Sequence, residues 1–409
     1  MFWKRKLEQW VQGMRTHAAL PLRLQLWNGQ HFDFSPSTPE VTIHIPSAAA
    51  LGYLLHPTLD NLGRAYIEGK LEVEGHLQTI IEVANSLAEH GIKRGSRLGQ
   101  LFRPLSHSRV QDAEAIEYHY DVSNAFYQNF LDKNMVYSCA YFEQGNEDLA
   151  TAQIKKIDHI LNKISLKPGE SLLDIGCGWG ALTLRAAEKF GAKCLGITLS
   201  KHQHELATQR VQAAGLSDRI SIQLRDYRDV TGSFDKITSV GMFEHVGLKN
   251  HPLYFSKISS LLKEDGLAMN HGICTTNTDH STARYGAGEF IERYVFPQGE
   301  LPHIGTVLSA MQDGGLEALD VENLRRHYAR TCELWAENFE NNSEAIKMLV
   351  DEKRYRTWRI YLAGCAHAFR HDWIALHQVV CGKAGIDANH LAWSRQHMYS
   401  PANHSAPAT

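Results

Sequence analysis

Asp174, Gly176, Gly178 and Gly180 spell D-x-G-x-G-x-G at the end of an apolar run that begins at Ser171. Glycines at alternate positions let a backbone take positive φ and come close to a ligand. A strand that ends in such a turn and opens into a helix, here at Ala181, makes the ligand-facing corner of a doubly wound sheet. The turn has neither G-x-G-x-x-G nor a Walker lysine. Two more groups could do chemistry. LRDYRD sets Asp226 and Tyr227 behind another apolar run, where an aspartate either caps a turn or accepts a hydrogen bond from a ligand. GMFEHVG carries Glu244 beside His245, a carboxylate and an imidazole suited to proton transfer. Sequence neighbours point in different directions on a regular element, so at most one of the two need face a site. A glutamate here also suits a helix start.

These groups can meet only if strands bring them to one sheet edge. Strands are expected at Ser171–Ile175, Lys193–Leu199, Ile220–Leu224, Phe234–Met242, Leu267–Ile273, Leu316–Val321 and Trp373–Cys381. Helical patterns at Asp148–Ile164, Gln203–Ala214, Tyr254–Leu262, Gly305–Gln312 and Arg354–Phe369 sit among them. Such alternation calls for an α/β fold, a doubly wound and mostly parallel seven-stranded sheet covered on both faces. The closely spaced last strands suggest one antiparallel edge strand. Cys274 to Pro302 breaks the alternation after a strand end, where α/β enzymes bind their substrates, and reads as a substrate-binding insertion.

The chain before this sheet is of a different kind. Trp3, Leu7, Trp10 or Val11, and Met14 recur at helical spacing beside Lys4, Arg5 and Lys6, which suits a helix on anionic lipid or one packed on its own domain. Leu22, Leu24 and Leu26 alternate up to the hairpin signal Asn28-Gly29, Phe32 and Phe34 resume the alternation, and Val41, Ile43 and Ile45 follow. Short helices are expected from Ala48 to His90, interrupted around Gly69 to Gly75. The basic, aperiodic stretch Arg94 to Val110 reads as a linker. The expected domains are therefore a small α+β unit over 1–105, a sheet domain over 106–400 and a disordered tail over 401–409.

With 409 residues, a net charge of −3 and 43% hydrophobic residues, the chain has no global bias towards nucleic acid. Seven scattered cysteines (Cys139, Cys177, Cys194, Cys274, Cys332, Cys365 and Cys381) lack C-x-x-C spacing and fit reduced thiols in a cytoplasmic protein, not a disulfide framework or a metal site. No apolar run is long enough to cross a bilayer, and MFWKRKLEQW is not a signal peptide.

D-x-G-x-G-x-G resembles the S-adenosylmethionine turn of the large methyltransferase class. YSCAYF, LLDIGCGWG, GITLS, SVGMFEHVG followed by KN, and FIERYVFPQGELP occur here in that order. Together they resemble the cyclopropane-fatty-acyl-phospholipid synthase family, whose relatives include the mycolic acid cyclopropane synthases. The likeness runs from about His119 to Cys381, and the N-terminal unit is similar to the extra domain of the bacterial synthases. It implies a Rossmann-like methyltransferase sheet and methylene transfer from S-adenosylmethionine to the cis double bond of a membrane phospholipid acyl chain. It also implies a peripheral protein on the inner face of the membrane and a homodimer.

Carried over by motif, the cofactor would be lined by Tyr137, Ser138, Leu172, Leu173, Asp174, Ile175, Gly176, Cys177, Gly178, Trp179, Gly180, Thr198, Leu199, Ser200, Gln203, Tyr227 and Arg228. Asp226 would accept from the adenine amine. No acid ends the second strand to hold a ribose, so Thr198, Ser200 and Gln203 would supply those hydrogen bonds. A bicarbonate ion would be held by Cys139, Glu244, His271, Ile273 and Tyr328, with Gly272 between His271 and Ile273 where some synthases differ. Cys365 in LAGCAHAF matches an active-site thiol of the family, although an apolar helix face more often buries a cysteine as packing. The chemistry needs an aligned alkene and methyl, aromatic faces beside the developing cation (Tyr137, Tyr141, Phe142, Phe243 and Tyr328 are candidates) and a base for the departing proton. The same cation could leave a methyl branch instead of a ring. A non-catalytic lipid carrier would have no need of the intact glycine turn and GMFEHVG.

Overall fold

The computed structural model describes residues 2–16, 18–91, 122–279, 285, 287–295, 300–387, 389 and 391–399. The expected linker Arg94 to Val110, the first residues of the likeness that starts at about His119, the Phe296–Gly299 part of FIERYVFPQGELP and the tail lie outside them. The chain forms two compact units. One gathers Met1–Ser106, Thr282–Pro297 and Cys332–His371, and the other His107–Ser281, Gln298–Thr331 and Asp372–Thr409.

The first unit is built on a four-stranded sheet of β1 (Leu22–Leu26), β2 (His31–Asp33), β3 (Val41–Ile45) and β4 (Glu72–Gly75), in the order β2-β1-β3-β4. β1 and β2 form the hairpin signalled by Asn28-Gly29, with Gly29 at φ +80°. The inward rows Leu22, Leu24, Leu26 and Val41, Ile43, Ile45 share a core with Phe34 and with Leu7, Val11 and Met14 of the helix Phe2–Arg15. The apolar stripe of that helix is thus packed on its own unit. β4 was legible only as an interruption between helices, because EVEG offers a single apolar residue.

The helix Glu352–Arg370, which the alternating pattern assigns to the large sheet, belongs to this unit and packs on the helices Leu59–Ile67 and Leu77–Gly91. Arg356 reaches Glu72 at 2.9 Å, and Arg359 donates to Tyr66 Oη at 2.9 Å and to both oxygens of Glu340 at 2.8 Å. The described part of the expected substrate-binding insertion, the helix Ala287–Tyr294, also lies here, on Leu59–Ile67.

The second unit carries β5 (Ser171–Ile175), β6 (Lys193–Thr198), β7 (Ile220–Leu224), β8 (Phe234–Val240), β9 (Leu262–Thr275), β10 (Leu316–Asn323) and β11 (Ile374–Lys383), in the order β10-β11-β9-β8-β5-β6-β7. β5 to β9 run parallel, and β11 is antiparallel to both β9 and β10. The antiparallel strand is therefore not at the edge, as expected, but one strand in, with β10 outside it. Period-two alternation on β5 sends Leu172 into one core, with Ile157, Ile160, Ala186 and Phe190, and sends Leu173 and Ile175 into the other, with Tyr254, Phe255 and Met311. This is what a doubly wound sheet requires. Asp174 alternates with its neighbours and so shares the Leu172 face, beneath the helix Leu149–Lys163. Among the described residues no helix is long and apolar enough to cross a membrane.

Candidate functional site

The glycine turn is held open from below. Gly176 N and Cys177 N both donate to the Ile197 carbonyl at the end of β6, at 3.0 and 2.9 Å. Gly176, Gly178 and Gly180 sit at φ +81°, +54° and +83°, values that other residues resist. A Cβ on Gly178 would meet nothing within 4 Å. Gly180 instead caps the helix Ala181–Phe190, close under Ala207. Strand order reverses between β8 and β5, and a cavity of about 150 Å³ opens at this switch point.

The cavity is lined by Tyr137, Ser138, Asp174, Ile175, Gly176, Cys177, Gly178, Trp179, Thr198, Leu199, Gln203 and Tyr227, all expected from sequence. Asp174 Oδ1 accepts from Thr238 at 2.8 Å, and burial pushes its carboxyl up to about 6. Thr198 Oγ1 donates to Gln203 Oε1 at 2.7 Å. Tyr137 and Ser138 are placed by Asp132, whose carboxylate accepts from the backbone of Asn134 and Val136 at 2.9 Å, and by Gln153, which donates to the Ser138 carbonyl at 2.8 Å. Trp179 is fixed through Asn124 Oδ1 at 2.8 Å.

A second cluster lies behind the segment Gly241–His245. Glu244 Oε1 accepts from Ile273 N on β9 at 2.7 Å, while its Oε2 is buried with no hydrogen-bond partner. Burial pushes the Glu244 carboxyl up to about 7. Two residues back on β9, His271 Nδ1 meets Gln378 Nε2 at 3.2 Å, and His271 Nε2 is buried without a partner. Burial, helped by Lys156 and Lys163, holds this imidazole well below its usual range, so it is neutral. Ile273 pairs with Leu376, whose carbonyl accepts from Leu324 N at 2.8 Å, and the Leu324 carbonyl takes both the Cys139 thiol, at 3.9 Å, and Tyr328 N, at 3.0 Å. One ladder thus strings together Glu244, Ile273, Cys139 and the first turn of the helix that carries Tyr328.

A family model described as mycolic acid cyclopropane synthetase matches residues 107–379, well over half of the chain. The chain belongs to this family. Its members are S-adenosylmethionine-dependent methyltransferases acting on lipids. A second model, described only as a domain of unknown function, matches residues 9–95. A probable fatty acid methyltransferase of Pseudomonas putida is 50% identical over 93% of this chain and 96% of its own length. A tuberculostearic acid methyltransferase of Mycobacterium tuberculosis is 35% identical over 89% and 88%. The solved cyclopropane synthase of Mycobacterium tuberculosis superposes with a TM-score of 0.64 at 34% identity, over 66% of this chain and 98% of its own. A mycolic acid cyclopropane synthase complexed with SAH and CTAB superposes equally well, at 35% identity.

Several of the residues expected at the site stand apart from the cavity. Leu172 and Leu173 are fully buried in the two cores on either side of the sheet. Ser200 caps the helix Lys201–Ala213. Asp226 caps the turn Tyr227–Asp229: its carboxylate accepts from Arg228 N at 2.9 Å and is gripped by the Arg228 guanidinium, at 2.6 and 2.9 Å. Glu244 and His245 do part company, Glu244 turning to β9 and His245 to the cavity, where burial pulls its imidazole down to about 4. Among the aromatic candidates only Tyr137 lines the cavity. Tyr141 is stacked between His159 and His327, and the Phe243 ring fills the space that a Cβ on Gly272 would take. That overlap explains the glycine in His271-Gly272-Ile273.

Cys365 belongs to the first unit, and burial pushes its thiol up to about 12, the opposite of an activated nucleophile. Sequence reasoning missed Lys156 and Arg225, both of which line the cavity. Lys156 had a signal: it shares a helix stripe with Ala152 and Ile160, a position where a lysine would be buried.

Proposed function

We propose that this protein transfers the methyl carbon of S-adenosylmethionine to the cis double bond of an unsaturated phospholipid acyl chain and closes a cyclopropane ring there. The reading is carried by Glu244 Oε2 and His271 Nε2, two buried proton-handling atoms without partners, behind the segment whose other side lines the donor cavity. The alkene π pair forms a bond to the methyl carbon as the sulfur–carbon bond breaks, and S-adenosylhomocysteine leaves. The cation left on the chain must then lose a proton from the new methyl, and the freed pair closes the ring. This chain's residues align the two partners, exclude water and keep proton acceptors close.

The cluster fits a bicarbonate ion. Glu244 Oε2 would accept its hydroxyl, and His271 Nε2, Tyr328 and the backbone at Cys139 and Ile273 would complete its surroundings. When bound, that ion supplies a weak base that cannot itself be usefully methylated. Burying Glu244 ionised and unpaired would be costly, and a carboxylate set against the sulfonium itself would be open to methyl transfer. Bicarbonate-free buffer should slow turnover, and adding the ion back should restore it.

A second reading, a methyl branch on the acyl chain, is favoured by the names of the two full-length relatives. Incubation with vesicles of cis-unsaturated phospholipid and labelled S-adenosylmethionine, followed by proton NMR of the acyl chains, tests both. Upfield ring protons are the expected result. A methyl doublet or an exocyclic methylene would replace the ring reading with the branch, and unlabelled acyl chains would overturn both.

A further inference from the structure

The methyl donor ends in an amino acid that carries a carboxylate and an ammonium, and the cavity must meet both charges. Two cations line it. Arg225 follows β7, two strands from β5, and is exposed. Lys156 lies beside Asp174 at the β5 end and is 2% exposed. Its hydrogen bond among the described residues goes to Ser138 Oγ at 2.8 Å, and no carboxylate of those residues pairs with it; Asp132 and Asp174 act on it only through space. An ammonium has three donors. A buried one with a single neutral partner, on a cavity wall, is costly unless something anionic arrives. One buried cation and one buried anion, Asp174, on the same wall match a zwitterion.

We propose that Lys156, steadied by Ser138, is the residue that holds the α-carboxylate of the methyl donor. This rests on the donor cavity already described. Lys156 is then a specificity determinant: it selects for the intact amino-acid end, while Arg225 has no part in that choice.

The test compares calorimetric binding of S-adenosylhomocysteine with that of its decarboxylated form to the full chain. A charge-assisted hydrogen bond predicts that the wild type prefers the carboxylated ligand by roughly ten- to a hundredfold. Lys156→Met should weaken S-adenosylhomocysteine by that factor, leave the decarboxylated ligand unchanged and bring the ratio near one. Arg225→Gln should keep the ratio. A preserved ratio in Lys156→Met, an equal loss of both ligands, or a ratio that collapses in Arg225→Gln would each overturn the assignment. If the wild type bound neither ligand, the donor cavity itself would be misassigned.

Should the variant fail to fold, the wild-type ratio measured from pH 7 to 9.5 serves. Of the groups facing Lys156, Asp174 is pushed up only to about 6 and is ionised throughout, burial raises Asp132 while the amides of Val136 and Asn134 oppose it, Cys139 is pushed far up and stays a thiol, and His271 stays neutral. Lys156, pulled down to about 8 by burial, loses its proton in that window, and the ratio should fall. A flat ratio would overturn the proposal.

Discussion

At the scale of single residues, Gly178 and Glu244 separate binding from chemistry. Gly178 holds φ +54° on the lining of the glycine-turn cavity, with open space where a side chain would stand. Gly178→Val should abolish binding of S-adenosylhomocysteine by calorimetry. The strain of a left-handed residue, about 1–2 kcal/mol, lowers the melting temperature without unfolding the chain. Wild-type affinity in the folded variant would remove the donor from this turn. Glu244→Ala should lose turnover and keep that affinity, and Tyr328→Phe should be slowed more modestly.

Glu244 also predicts a pH effect on stability. Its folded value, about 7, lies above the ordinary 4.5, so the stability it brings as a neutral acid is present below pH 4.5 and is lost as pH rises through 7. Glu244→Gln keeps an acceptor for Ile273 N and removes that loss. It should melt higher than the wild type at pH 8, by an amount corresponding to roughly 3 kcal/mol at most, and show no such gain at pH 4.5. Equal melting at pH 8 would mean that the carboxylate is solvated.

Among the elements, β9 decides the most. Its Gly272 lies against the Phe243 ring, while His271 and Ile273 on either side serve the second cluster. Gly272→Ala should cost about 1–3 kcal/mol by overpacking, and Phe243→Leu in the same chain should restore part of it, as read from thermal melts. Undiminished stability in the single variant would show that the ring yields freely. The strands that place this cluster were legible because β5, β6, β8 and β9 each carry clustered apolar residues between helical patterns and turn signals.

Elements with little apolar signal were not legible. The helix Arg325–Asn341, which brings Tyr328, reads as RRHYARTCELWAENFEN and is dominated by polar residues. β4 has one apolar side chain. The turn residues were visible as motif, whereas the grip of the Arg228 guanidinium on Asp226, two residues away, was not. Lys156 was passed over because a lysine on a helix is ordinarily read as solvated, although its stripe with Ala152 and Ile160 already placed it on the buried face.

For the whole molecule, the division into units has a practical outcome. Removing residues 1–105 would take away the helices Leu59–Ile67 and Leu77–Gly91, against which Glu352–Arg370 packs, and with them Tyr66 and Glu72, which Arg356 and Arg359 use. That helix keeps Trp358, Leu362, Ala363, Ala366 and Phe369 buried. The truncated chain should aggregate in size exclusion or melt well below the full protein, and a monodisperse product with unchanged melting would contradict this. The place of β11 has a consequence in time. Among the described residues β10 pairs with the rest of its sheet through β11 alone, and β11 follows the whole Cys332–His371 segment of the other unit in the chain. At roughly 5–20 residues per second, a ribosome needs several seconds to pass from Asn323 to Ile374. Throughout that interval the nascent chain carries an unpaired β9 edge and an orphan β10, so the sheet cannot close before β11 has been made, and a chain stalled before Ile374 is a natural client for chaperones and proteases.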